Sequence, residues 1–86
     1  MAVNEVTVEQ LKQAVEAGAR VIDVREPDEY HSGHVPNARL VPLAEVPENI
    51  DAFQSDQIVY VVCLSGGRSM RACEFLHGVG VSNVVM

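Results

Sequence analysis

The chain has 86 residues and a formal net charge of −6, and Lys12 is the one lysine among six cations. That length holds one small domain, taken here as 1–86, and hydrophobic residues at 48% are enough to give it a core. Without a basic stripe, nucleic acid and an anionic membrane surface are excluded as partners, and no stretch approaches the roughly 20 apolar residues of a membrane span.

In chain order, Val3 to Val6 can form a short first strand. Thr7-Val8-Glu9-Gln10 reads as a capping box, with Thr7 capping a helix and Gln10 reaching back. Val8, Leu11 and Val15 fall on one helical face, and Gly18 is the expected stop. Arg20 to Val24 is a short apolar strand with one intruding carboxylate, Asp23. Pro27 is placed to open a helical turn over Asp28 to His31. A Gly- and Pro-punctuated stretch follows, with room for a strand near Ala38 to Val41, and then one or two helical turns over Pro47 to Phe53. Gln57 to Val62 is the strongest strand because its β-branched run is uninterrupted. Ser69 to His77 reads as a helix ended by Gly78, with Leu76 meeting Ala72 and Cys73 on its apolar face, and Val81 to Met86 is a last strand. Alternating strands and helices, with scarce aromatics and no Trp, predict an α/β fold with a parallel sheet and right-handed crossovers. Ligands of such sheets bind at the carboxyl ends of the strands.

Cys63 stands at such an end, followed by Leu64-Ser65-Gly66-Gly67-Arg68-Ser69. The glycines let the chain curl, which turns successive backbone N–H groups inward and leads into the positive end of a helix. A cysteine in that field is expected to be partly thiolate near neutral pH, a nucleophile in an anion-stabilising cradle. Cys73 lies on the apolar helix face and is expected to be a packing residue. Two cysteines without a C-x-x-C spacing make neither a disulfide framework nor a zinc site, so no metal is expected. Three chemistries compete for the cradle. A nucleotide phosphate loop needs a lysine that is absent here. A C-x5-R phosphatase or arsenate reductase needs its arginine where Ser69 stands, and Arg68 comes one residue early. The third is sulfur transfer, since the smaller ring suits one sulfur atom better than a phosphoryl group.

Two motifs resemble those of the single-domain rhodaneses, the thiosulfate sulfurtransferases. The stretch Val21 to Ala38 is similar to the family signature D-x-R-x-x-x-E-[FY]-x-x-G-H-[IV]-P-x-A, matched at Asp23, Arg25, Glu29, Tyr30, Gly33, His34, Val35, Pro36 and Ala38. The second motif, "CLSGGRS", is similar to the loop C-x-x-G-x-R-S, matched at Cys63, Gly66, Arg68 and Ser69. Asn37 replaces the commoner glycine and tolerates a left-handed backbone.

The resemblance implies a three-layer α/β/α fold around a five-stranded parallel sheet. It implies a Cys63 persulfide held by the loop from Leu64 through Ser65, Gly66 and Gly67 to Arg68 and Ser69. Arg68 is expected to stabilise the leaving anion, with Asp23, Arg25 and His34 as structural supports. The expected reaction takes a sulfane sulfur from thiosulfate or a persulfide donor and passes it to a thiol or cyanide, with no organic cofactor. The alternative is a rhodanese-like sulfur carrier or partner-binding module with little activity alone. The N-terminal stretch has neither a basic nor an apolar leader segment, so the cytoplasm is the expected compartment. The family normally continues with a Gly-Gly turn and a Trp-bearing helix where this chain stops at Met86. The C-terminal helix is therefore expected to be missing. Part of one sheet face around Val3–Val6 and Val81–Val85 is then expected to be exposed, making the chain marginal, self-associating or part of a longer protein.

Overall fold

The computed structural model describes residues 5–63 and 67–86. Helix α1 (Val8–Glu16) opens with both halves of the expected capping box: the Gln10 N–H donates to Thr7 Oγ1 at 3.1 Å, and the Thr7 N–H donates to Gln10 Oε1 at 2.8 Å. Strand β1 (Arg20–Asp23), helix α2 (Pro27–Ser32), strand β2 (Arg39–Leu40) and strand β3 (Val59–Val62) follow, and then helix α3 (Gly67–Gly78) and strand β4 (Val84–Val85). Two 3-10 segments, Leu43–Glu48 and Ile50–Phe53, fill the span between β2 and β3, so helical turns begin four residues before the expected Pro47.

The sheet runs β2-β1-β3-β4, and every pairing is parallel. Among the described residues it has four strands, not five. Val3 lies outside them, and Val6 makes one backbone bond, its N–H to the Met86 carbonyl at 2.7 Å. Among the described residues this one bond at the edge of β4 does not make a ladder, which needs repeated pairing.

Register sets the two faces. Ile22 pairs with Val61, and Val59 with Val84, so these side chains share one face. With Val24, Phe53, Ala72 and Leu76 they form the buried core, to which α3 contributes its apolar stripe. Val21, Asp23, Tyr60 and Val62 point to the opposite face, where Tyr60 and Val62 stay half-buried. No residue of α1 is fully buried, and Val8 is 84% exposed.

The exposure expected at the last strand is corrected. Val81, Val84 and Val85 are buried, at 4%, 1% and 7% exposure. Val81 and Val84 face the core beside Leu76, and the Val81 N–H donates to the Leu76 carbonyl, folding the segment back onto α3. Among the described residues, the larger apolar side chains left open are Val8, Ile58, Phe75 and Val79.

Candidate functional site

The site lies at the carboxyl ends of β1 and β3. Asp23 ends β1 with its side chain 1% exposed. A carboxylate so placed requires donors, and the chain supplies them two residues on. The Arg25 backbone N–H donates to Asp23 Oδ1 at 2.9 Å, Nε reaches both oxygens, and Nη2 donates to Oδ2 at 2.7 Å. The same Nη2 also donates to the Gly33 carbonyl at 2.7 Å, tying the strand end to the next loop. Gly33 holds φ at 153°, a region that side chains rarely enter. The hydrogen bonds that Arg25 donates to Asp23, ahead of the opposing effect of burial, hold its guanidinium more firmly in its charged form.

Asn37 takes a left-handed φ of 66°, which its short polar side chain tolerates. His34 stacks on Tyr30 with centroids 3.7 Å apart and planes 7° apart. Its Nδ1 lies 2.8 Å from the Tyr30 carbonyl, an acceptor, so the proton sits on Nδ1. The Tyr30 hydroxyl donates to the Ala38 carbonyl and closes the loop.

Cys63 follows β3 and is half-buried. The first turns of α3 aim at its sulfur: the Ser69 N–H donates to Sγ at 3.3 Å, and the Ser69 hydroxyl lies 3.5 Å from Sγ. Ser69 is 2% exposed, so this contact sits inside the fold. The N–H bond donated to sulfur favours its anionic form. Leu64, Ser65 and Gly66 of the expected cradle lie outside the described residues. Gly67 is the first residue of α3, two positions before the expected start.

Arg68 has a different surrounding from the one its sequence position suggests. Nη1 and Nη2 donate to the two oxygens of Glu29, at 2.6 and 2.9 Å. This fork joins the two motifs across 39 positions of sequence. Hydrogen bonds from Arg68, then one from the Glu26 backbone, pull the Glu29 carboxyl down to about 2. The Glu29 contact is also the largest cause holding Arg68 in its charged form, with charge on Cys63 a smaller one. A depressed carboxyl contributes stability above its unfolded value, near 4.5, and loses it as pH falls through about 2. Acid titration monitored by circular dichroism should show that loss between these limits. Glu29→Gln should flatten the curve there; an unchanged curve would remove the pair from the stability balance.

Asp23, Arg25, Gly33, His34, Cys63 and Ser69 line one cleft of about 630 Å³. Its other described lining residues are Glu5, Val6, Leu11, Val35, Val61, Val62 and Met86. Arg68 is not among the described residues that line it. The structure thus brings together Cys63, Ser69, Asp23, Arg25 and His34 at the cleft, and pairs Arg68 with Glu29. Cys73 is fully buried in the core, and burial pushes its thiol up to about 12. Sequence reasoning missed Glu29 as the partner of Arg68, and Leu11 of α1 as a lining residue. A scarce cation in one motif and an unassigned carboxylate in the other was the available signal.

The model of the Rhodanese-like domain family matches residues 7–86. The chain belongs to the rhodanese-like domain family. It is 33% identical to the thiosulfate sulfurtransferase GlpE of Pseudomonas aeruginosa over 81 residues, covering 94% of this chain and 74% of GlpE. It is 31% identical to YrkF of Bacillus subtilis, named as a candidate sulfur carrier protein, but spans only 46% of that protein. The solved rhodanese-like domain protein of Staphylococcus aureus superposes with a TM-score of 0.87 at 32% identity, covering 96% of this chain and 82% of that one. The α/β rhodanese-like fold is therefore shown. No helix among the described residues is long and apolar enough to cross a membrane.

Proposed function

We propose that this rhodanese-like domain is a sulfurtransferase in which Cys63 carries the sulfur. The observation that supports it most is Cys63 at the end of β3, its Sγ facing the amide and hydroxyl of Ser69 at the cleft. The Cys63 thiolate attacks the outer sulfur of a sulfane donor such as thiosulfate. The bond between the two donor sulfurs breaks, and its electron pair leaves with sulfite. Cys63 is left as Cys–S–S⁻, stabilised by donated N–H and O–H groups. An acceptor thiolate then takes the outer sulfur and returns the Cys63 thiolate.

Asp23 and Arg25 support the strand end and the Gly33 loop, and His34 shapes that loop through Tyr30. Arg68 acts through Glu29, fixing the start of α3 against α2. Lysine cannot form the same two parallel bonds, so Arg68→Lys should slow sulfur loading by about tenfold. An unchanged loading rate in that variant would remove the fork from the mechanism.

The likeness to YrkF favours a second reading, a carrier that loads sulfur once and releases it only to a dedicated partner. Steady-state assays of the isolated protein with thiosulfate and a small thiol decide between them. Parallel double-reciprocal lines and many turnovers per Cys63 are expected for the enzyme. Loading without turnover supports the carrier, and no loading contradicts both.

A further inference from the structure

Passing sulfur to a thiol requires a base. The thiolate is the nucleophile, and an alkyl thiol is mostly protonated near neutral pH. The second half of the reaction therefore calls for a proton acceptor beside Cys63.

The strand ends place His34 for that task. The Val24 N–H donates to the Val62 carbonyl at 3.0 Å, so the chain leaving β1 runs alongside the chain leading into Cys63. One residue on, Arg25 Nη2 donates to the Gly33 carbonyl at 2.7 Å and ties the residue before His34 to the same corner. His34 and Cys63 accordingly line one cleft. The imidazole is held at two points, by its stack on Tyr30 and by Nδ1 at 2.8 Å from the Tyr30 carbonyl. With the Nδ1 proton given to that carbonyl, the neutral ring keeps its lone pair on Nε2. Among the described residues nothing hydrogen-bonds to Nε2, and His34 is exposed.

The neighbouring groups are less suited. The other charged side chains in the described lining are Glu5, Asp23 and Arg25. Both Asp23 oxygens accept from Arg25, and a guanidinium stays protonated. Glu5 is a carboxylate, a weaker class of base than imidazole. On α2, Tyr30 commits its hydroxyl to the Ala38 carbonyl, and His31 stands edge-on to Tyr30.

We infer that His34 is the general base of the transfer step, taking the proton of the acceptor thiol on Nε2. This rests on sulfur transfer at Cys63. The S–H bond of the acceptor breaks, its proton passes to Nε2, and its electron pair stays on sulfur. That thiolate attacks the outer sulfur of Cys63–S–S⁻. A new S–S bond forms, the Cys63 S–S bond breaks, and its pair returns to Sγ. R–S–S⁻ leaves, and His34, open to solvent, gives its proton to water.

The test loads Cys63 from thiosulfate, removes the donor, and follows single-turnover chases by two acceptors. Mercaptoethanol is an alkyl thiol that must lose a proton, and thionitrobenzoate is an aryl thiol already ionised at neutral pH. His34→Asn keeps an amide donor where Nδ1–H stands and removes Nε2. General base catalysis contributes about 10²–10⁴-fold, so the ratio of alkyl to aryl chase rates should fall by about a hundredfold. Both rates come from one loaded sample, so an unfolded fraction cancels. His34→Gln, the second variant, should lower the ratio likewise. A ratio equal to that of the wild type, whether both rates slow together or neither does, overturns the inference and leaves sulfur transfer standing. Wild-type protein that takes no sulfur from thiosulfate onto Cys63 overturns sulfur transfer itself.

Discussion

Replacing Cys63 by serine should abolish sulfur transfer while leaving the fold in place. Serine is near in size, and its hydroxyl can still meet the Ser69 amide that lies 3.3 Å from Sγ. What is lost is the nucleophile, because an alcohol is not ionised at neutral pH as a thiol partly is. Loss of a covalent nucleophile commonly costs several orders of magnitude, so turnover should fall by about a thousandfold or more. Cys73→Ser is the matched control. Cys73 is fully buried and its thiol is held protonated, so transfer should persist in any fraction that remains folded. Rates corrected for folded protein by circular dichroism separate the two. Retained turnover in Cys63→Ser would move the chemistry to another residue.

The second large effect concerns stability. Asp23→Ala removes the acceptor for three donors of Arg25, a guanidinium with 14% side-chain exposure. Breaking a buried pair from one side costs about 3 kcal/mol or more, because the remaining charge stays desolvated. In a domain of this size that corresponds to a melting point lower by roughly 10–20 °C. The Gly33 loop should loosen with it, since Arg25 also holds that carbonyl. Thermal melts of Asp23→Ala and of the double variant Asp23→Ala/Arg25→Met check the cause. The double variant should recover much of the loss, and failure to recover would show that Asp23 stabilises the fold by other means.

Local rules made most of the elements legible in the sequence. The Thr7–Gln10 box could be read because both partners lie within one helical turn, and β3 because its β-branched run suits only a buried strand. Boundaries were less legible. β3 begins at Val59, where Val84 pairs with it, while Ile58 before it is 49% exposed. The start of α3 was read late because glycine is a weak helix former, yet Gly67 is helical ahead of the residues whose side chains pack. The last strand shrank to two residues because Val81 turns back to bond Leu76. The position of Cys63 after β3 could be read from the sequence, while Leu64, Ser65 and Gly66 of the loop motif lie outside the described residues. The Glu29–Arg68 fork could not, since nothing local says which carboxylate meets a cation 39 positions away. The place of Leu11 in the cleft depends on where α1 lies against the sheet, which periodicity alone leaves open.

The most direct test of sulfur transfer through Cys63 is a chase followed by intact mass. The protein is treated with thiosulfate, freed of donor, and weighed before and after addition of a small thiol. A gain of about 32 Da, mapped to Cys63 and lost on the chase at a rate at least equal to steady-state turnover, is the predicted result for a nucleophilic thiolate that carries sulfur. Turnover with no such gain, a gain mapped to Cys73, or a loss slower than turnover would contradict it.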